Sequence, residues 1–179
     1  VGDLTQSRSE LSGSSSLTHG YSAGGAGSPF ANYYDTVDKF PFASNANAAD
    51  VGNLVNGKYG LGGQTSSTHG YVSGGKIPSF TNKDFEKYPF SADANATFVG
   101  ELVADRYDFA SQSSSSHGYA SGGQPSPGAS SGINKFSFSS DGNATTVGNL
   151  SAARRGAGGN SSDDNGYSSG GYLSSFHDT

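Results

Sequence analysis

The sequence predicts an all-β protein made of four repeated units of short antiparallel strands, and three observations carry that expectation. A phrase ending in paired glycines recurs as THGYSAGG (18–25), THGYVSGG (68–75), SHGYASGG (116–123) and DNGYSSGG (164–171). Its aligned residues His19, His69, His117 and Asn165 are 50, 48 and 48 positions apart. The same offsets relate Val1, Val51, Val99 and Val147, which head VGDL, VGNL, VGEL and VGNL, and the basic residues Arg8, Lys58, Arg106 and Arg154. An aromatic block, VDKFPF, FEKYPF and INKFSF, places Phe40, Tyr88 and Phe136 at intervals of 48. Composition agrees: 28 glycines, 12% aromatic residues that are all Tyr or Phe, and no stretch of helical periodicity favour sheets over helices. With only 32% hydrophobic residues, burial has to come from thin layers instead of a thick aliphatic core.

Taken in order, each unit reads as four short strands. HGYVSGG alternates His69, Tyr71 and Ser73 on one face with Gly70, Val72 and Gly74 on the other, as a half-buried strand does. The paired glycines Gly24–Gly25, Gly74–Gly75, Gly122–Gly123 and Gly170–Gly171 supply positive φ and close approach between units, and Tyr21, Tyr71, Tyr119 and Tyr167 fill the space between adjacent sheets. Variable loops follow at 26–36, 76–84 and 124–132. The next strand alternates Glu86, Tyr88 and Phe90 against Lys87 and Pro89, and Pro41 and Pro89 mark a position whose amide no neighbour needs. SADANATFVGEL then carries Asx and Gly turn chemistry before another short strand. The chain is expected to be one repeat domain with units at about 1–50, 51–98, 99–146 and 147–179, the last truncated.

An aromatic strand ending in paired glycines, a variable loop, an apolar strand, a turn and a basic residue resemble a kelch repeat, over nearly the whole chain. Periods near 50 are those of kelch blades. The resemblance implies kelch-like β-propeller blades in which the paired glycines close the second strand. The departure is tryptophan: kelch units usually carry one about where Val51, Val99 and Val147 stand, and this chain has none. HGYxSGG, DANAT and VGNL also resemble repeat-bearing reading frames of marine bacteriophages. Four VGxL…GYxSGG halves face only three aromatic blocks, so the array is expected to be an incomplete ring, an open array completed by a second copy, or a compact four-bladed ring. Absence of Met, including at position 1, suggests a processed product or a piece of a longer frame.

Charge narrows the partners. A net charge of −5 with ten scattered basic residues argues against nucleic acid, and no apolar run reaches the about 18 residues of a bilayer span. Cys is absent, which removes thiolate metal sites and disulfides. His19, His69 and His117 invite a metal, but Asn165 in the fourth unit fits hydrogen bonding to the next blade or its loop better. Arg8, Lys58, Arg106 and Arg154 would line an axis for an anion or, in the preferred reading, pair with carboxylates. Asp38, Glu86 and Asn134 are candidate partners for that row or for the adjoining Lys39, Lys87 and Lys135, worth under about 1 kcal/mol each if exposed. NAN (45–47), DAN (93–95) and DGN (141–143) carry the oxygen side chains of a calcium loop without its spacing, so turns are preferred. Asn95, Asn143, Asn149 and Asn160 each begin an N-x-S/T sequence, relevant only in a glycosylating pathway.

No nucleophile elbow or converging acid pair is seen: SSSSH (113–117) reads as polar strand or loop, and Asp163 and Asp164 diverge. The expectation is a protein that is not an enzyme and needs no cofactor or metal. Phe30, Tyr33, Tyr34, Phe80 and Phe85 lie in or beside the variable loops and are the candidate binding residues, suited to stacking on sugar faces. The expected role is a structural or receptor-binding protein of a phage virion or extracellular appendage, with self-association, other virion or appendage proteins, or a surface glycan as partners. A secreted or cell-surface microbial carbohydrate- or protein-binding propeller and a self-assembling extracellular fibre subunit are the alternatives.

Overall fold

A computed structural model describes residues 2–29, 32–125, 128–162 and 164–172. Among them there is no helix. The first sheet is β1 (Ser12–Ser15), β2 (His19–Ala23), β3 (Thr36–Pro41) and β4 (Ala49–Asn53), hydrogen-bonded in sequence order. The second is β5 (Gly62–Thr65), β6 (His69–Ser73), β7 (Asp84–Pro89) and β8 (Thr97–Glu101), and the third β9 (Ala110–Ser113), β10 (His117–Ser121), β11 (Gly132–Ser137) and β12 (Thr145–Asn149). A hairpin of β13 (Gly158–Ser161) and β14 (Gly166–Ser169) makes the fourth. All pairings are antiparallel meanders, the topology that tight turns between consecutive strands dictate. The expected units cut through β4, β8 and β12, because Val51, Val99 and Val147 lie inside those strands. The sheets therefore run out of phase with the sequence landmarks, and residues 2–8 lie along the first sheet as residues 52–58 lie along the second.

The sheets stack in a row through their first strands, β1 beside β5, β5 beside β9 and β9 beside β13, whereas β1 and β13 do not pack in this way. The alternation read in HGYVS decides what each face covers. Val72 joins Tyr21, Val37, Leu54, Leu61 and Tyr88 in the core between the first and second sheets. Tyr71 on the opposite face joins Phe85, Leu102, Phe109 and Phe136 between the second and third. Tyr21 stacks on Phe90 of the following unit at 4.8 Å, and Tyr71 on Phe138 of the unit after its own at 4.7 Å. Tyr119 is half-buried and Tyr167 is 55% exposed, because no aromatic strand follows them among the described residues. The Tyr-filling expectation thus holds for two units and fails at the end of the row.

The glycine of HGY has a packing reason. A Cβ at Gly70 would lie 2.5 Å from the ring of Tyr88 and 2.6 Å from Ser14 Oγ, and Gly20 and Gly118 stand in the same relation to Phe40 and Phe136. The aromatic of the neighbouring strand lies flat over a bare glycine, which lets the next sheet come closer. The paired glycines meet the expectation of positive φ, from +59° to +72° at the first and from +92° to +105° at the second. The second of each pair donates its N–H to the basic residue of the next unit: Gly25 to Lys58 O, Gly75 to Arg106 O and Gly123 to Arg154 O, each at 2.8 Å. A Cβ at Gly74 would sit 2.6 Å from Arg106 O, so only glycine permits the contact.

Candidate functional site

The variable loops join β2 to β3, β6 to β7 and β10 to β11, and each is pinned where it returns to the glycine pair. Tyr34 N donates to Gly25 O at 2.8 Å, Asn82 N to Gly75 O at 2.7 Å and Ser130 N to Gly123 O at 2.8 Å. The loops of successive units thus emerge on one rim. Between them runs a row of side chains immediately after the basic repeat: Tyr59, Tyr107 and Arg155. Tyr59 bridges in backbone to Lys76, and its ring meets Tyr33 of the preceding unit with centroids 5.1 Å apart. Lys76 Nζ lies 5.7 Å from the ring centre of Tyr107, Arg155 donates to Gln124 Oε1 at 2.5 Å, and its guanidinium lies 5.2 Å from the Tyr172 ring. Burial pushes the Tyr59 hydroxyl above its ordinary value, with Lys76 opposing. An aromatic and cationic ladder therefore links the loops.

Of the predicted binding residues, Tyr33 belongs to this ladder and Tyr34 sits half-buried against Gly27. Phe80 is 59% exposed and lines a cleft of about 460 Å³ with Lys83, Asp84, Val103 and Asp105. Lys83 pairs with Glu101 at 2.7 Å, and that hydrogen bond holds its pKa above the usual lysine value. Phe85 is in a different place: it is fully buried in β7, its ring 4.3 Å from that of Phe136, so it is core and leaves the candidate binding set. Its direction follows from plain alternation along β7, whose pairing with β6 is continuous: Phe85 faces the third sheet and Tyr88 the first, while the register step to β8 leaves Val99 of β8 as the extra residue. Phe30, with Val1 and Asp163, lies outside the described residues. Tyr59, Tyr107 and Arg155 escaped the sequence reading, yet their signal was available, since they follow the recurring basic residue at the same repeat offsets.

The basic row is structural. Arg8 Nη2 lies 2.9 Å from Asp38 Oδ2 and Lys58 Nζ 2.5 Å from Glu86 Oε1, with all four side chains buried. Arg106 donates to Gly122 O and Gly132 O at 3.0 Å each, and Arg154 to Gly170 O at 2.9 Å. Burial lowers the pKa of Arg8 and of Arg106, with Asp38 and Asp105 respectively opposing. Asp38 and Glu86 are therefore buried partners of this row instead of exposed partners of their neighbours. Asn134, at the same place in the third unit, accepts from Val103 N at 3.1 Å as Glu86 does from Val55 N at 2.6 Å.

The adjoining lysines reach the next unit. Lys39 pairs with Asp93, and Lys87 with Asp141 at 2.5 Å. Asn47, Asn95 and Asn143 accept backbone N–H groups of Asp3, Asn53 and Glu101 at 3.0, 3.0 and 3.1 Å. The NAN, DAN and DGN turns are thus latches across the outer edge, and among the described residues no group of three or more His, Asp or Glu side chains could hold a metal. His19, His69 and His117 bond locally, and among the described residues not to the next unit: His19 and His69 Nδ1 lie 2.8 Å from the hydroxyls of Thr18 and Thr68, and His117 Nδ1 2.8 Å from that of Ser116. No protein-family model matches the chain, and comparison with curated proteins finds no match.

Proposed function

We propose that this chain is a non-enzymatic structural or receptor-binding protein of a phage virion or similar extracellular appendage, whose kelch-like blades carry a glycan-binding rim. The observation that carries the binding part is the ladder of rings and cations along one edge of the stacked sheets, with Tyr33 on Tyr59 and Phe80 exposed beside Lys83, Asp84 and Asp105. Exposed rings flanked by hydrogen-bonding groups offer a sugar both its apolar face and its hydroxyls a partner. Rigid sheets hold these loops at fixed spacing, which suits a repetitive ligand. The likeness of HGYxSGG, DANAT and VGNL to marine phage repeats supports the location.

Binding to a glycan array and adsorption to host cells test the reading. Each ring contributes about 1 kcal/mol, so Tyr33→Ala and Phe80→Ala are expected to weaken binding roughly fivefold apiece. Binding that is unchanged in both variants, or no glycan retained by the wild-type chain, would remove the binding part.

A further inference from the structure

The two ends of the row of sheets present unmatched halves of one recurring contact. At the first two junctions the Tyr of one unit rests on two rings of the next: Tyr21 on Tyr88 and Phe90, Tyr71 on Phe136 and Phe138. At one end of the row Phe40 and Phe42 occupy the position of those paired rings, no Tyr rests on them among the described residues, and Phe42 is 57% exposed. They line a cleft of about 400 Å³ with Leu4, Ser22 and Ala46. At the other end Tyr167 is 55% exposed.

The backbone is unmatched in the same sense. Gly60 N donates to Glu10 O at 3.0 Å, Asp108 N to Gly60 O at 2.9 Å and Gly156 N to Asp108 O at 2.7 Å, a chain of bonds from unit to unit. Among the described residues this leaves Glu10 N without an acceptor and Gly156 O without a donor. Thr65 N donates to Ser113 Oγ and Ser113 N to Ser161 Oγ, both at 2.9 Å, which leaves Ser161 N facing outward and Ser15 Oγ in the place of its acceptor. Gly171 N, whose counterparts each donate to the next basic residue, has no such partner among the described residues, nor does Arg8 O accept one. Donors on one end thus correspond to acceptors on the other.

We propose that the occupant of both ends is a second copy of this chain, joined head to tail, with β13 and β14 of one copy on β1, β2 and the Phe40–Phe42 face of the next. Tyr167 then rests on Phe42, Gly171 N donates to Arg8 O, Glu10 N to Gly156 O, and Ser161 N to Ser15 Oγ. The junction of the third and fourth sheets shows that a two-stranded hairpin suffices for the backbone part of this contact. Because the two surfaces differ, the association is heterologous and extends copy by copy. It deepens the self-association within the structural role proposed above by naming the surfaces.

Two blocked variants and their mixture test it by sedimentation velocity across a hundredfold concentration range. The wild-type chain is expected to grow from monomer through dimer to longer species. Phe42→Glu alone and Tyr167→Glu alone are each expected to stay monomeric, and their equimolar mixture to give a dimer and stop there. Both positions are exposed, and far-UV circular dichroism identical to wild type checks that the sheets are intact. The serine variants Phe42→Ser and Tyr167→Ser repeat the test without introducing charge. A monomeric wild-type chain at all concentrations, a blocked variant that still associates alone, or a mixture that remains monomeric would overturn the proposal. Since Tyr33 and Phe80 lie on the rim, glycan binding by a monomeric chain would overturn the association and leave the binding reading standing.

Discussion

Replacing Lys58 by methionine isolates the energetic role of the buried basic row. The Lys58 and Glu86 side chains are 1% and 2% exposed and their charged atoms lie 2.5 Å apart, while Glu86 Oε2 also accepts from Val55 N at 2.6 Å. Methionine keeps the stem and removes the ammonium, which leaves the carboxylate with one N–H partner in a site that water does not reach. Breaking a buried pair in this way costs about 3–5 kcal/mol, far above the value of an exposed pair. For a chain of this length that corresponds to a fall in Tm of roughly 6–20 °C.

The third unit supplies the control, since Asn134 does the work of Glu86 toward the backbone without charge. The double variant Lys58→Met with Glu86→Gln is therefore expected within about 1 kcal/mol of wild type, because no unpaired charge remains and the amide oxygen still accepts from Val55 N. Thermal and urea denaturation followed by circular dichroism measure both. A single variant within about 1 kcal/mol of wild type, or a double variant as unstable as the single, would refute the argument that desolvated charge governs this junction.

Two further outcomes follow from the same geometry. Gly74→Ala is expected to cost about 2 kcal/mol or more, from positive φ and the collision with Arg106 O; Gly148→Ala, where a Cβ meets only Ile133 Cδ1 at 4.0 Å, is the neutral control, and equal Tm values for the two would contradict the close-approach argument. His69 has its pKa lowered by burial first and by Lys87 second, with Asp141 opposing, so the unfolded chain binds more protons than the folded one just below the unfolded value of about 6.5. Its contribution to stability is full above that value and is lost as pH falls through it toward the folded value. Titration by proton NMR should place His69 below the unfolded value, and His69→Gln should flatten the decline in stability between about pH 7 and about pH 5; an unshifted His69 resonance would contradict it.

The features legible in the sequence were those whose cause lies within one unit. Period-2 alternation assigned Tyr71 and Val72 to opposite faces, and the glycine pairs announced their backbone conformation, because both depend on adjacent residues. Of the two partners open to Asp38 and Glu86, the adjoining Lys39 and Lys87 are not the ones, because those lysines pair with Asp93 and Asp141, which lie a whole unit onward and come close only when sheets stack. Asp38 and Glu86 pair with Arg8 and Lys58 of their own units, one of the two kinds of partner the repeat offers, and what the residue pattern does not carry is that both pairs are buried. Phe85 stands at the edge of the variable loop, second residue of β7, and the ring that covers it, Phe136, belongs to the next unit, which no local pattern reveals. For the rim, the repeat offset of Tyr59, Tyr107 and Arg155 was visible, but nothing local joined them to Tyr33 or Lys76.

Stacking also explains how so lean a composition supports sheets apolar on both faces. The first two junctions join a modest ring cluster to bonds along their whole length: hydroxyl-to-backbone bonds such as Thr65 to Ser113 at the inner strands, a glycine N–H to a carbonyl at the rim, and an Asn-capped strand at the outer edge. Such bonds replace volume with registry, because each is satisfied only when the next sheet sits at one spacing and one height. Rings resting on bare glycines bring the sheets near enough for the bonds to form, and the bonds hold the rings in place. Cohesion then belongs to junctions and not to units, which is why the fourth sheet, with one neighbour and two strands among the described residues, keeps its backbone bonds to the third while its tyrosine is exposed.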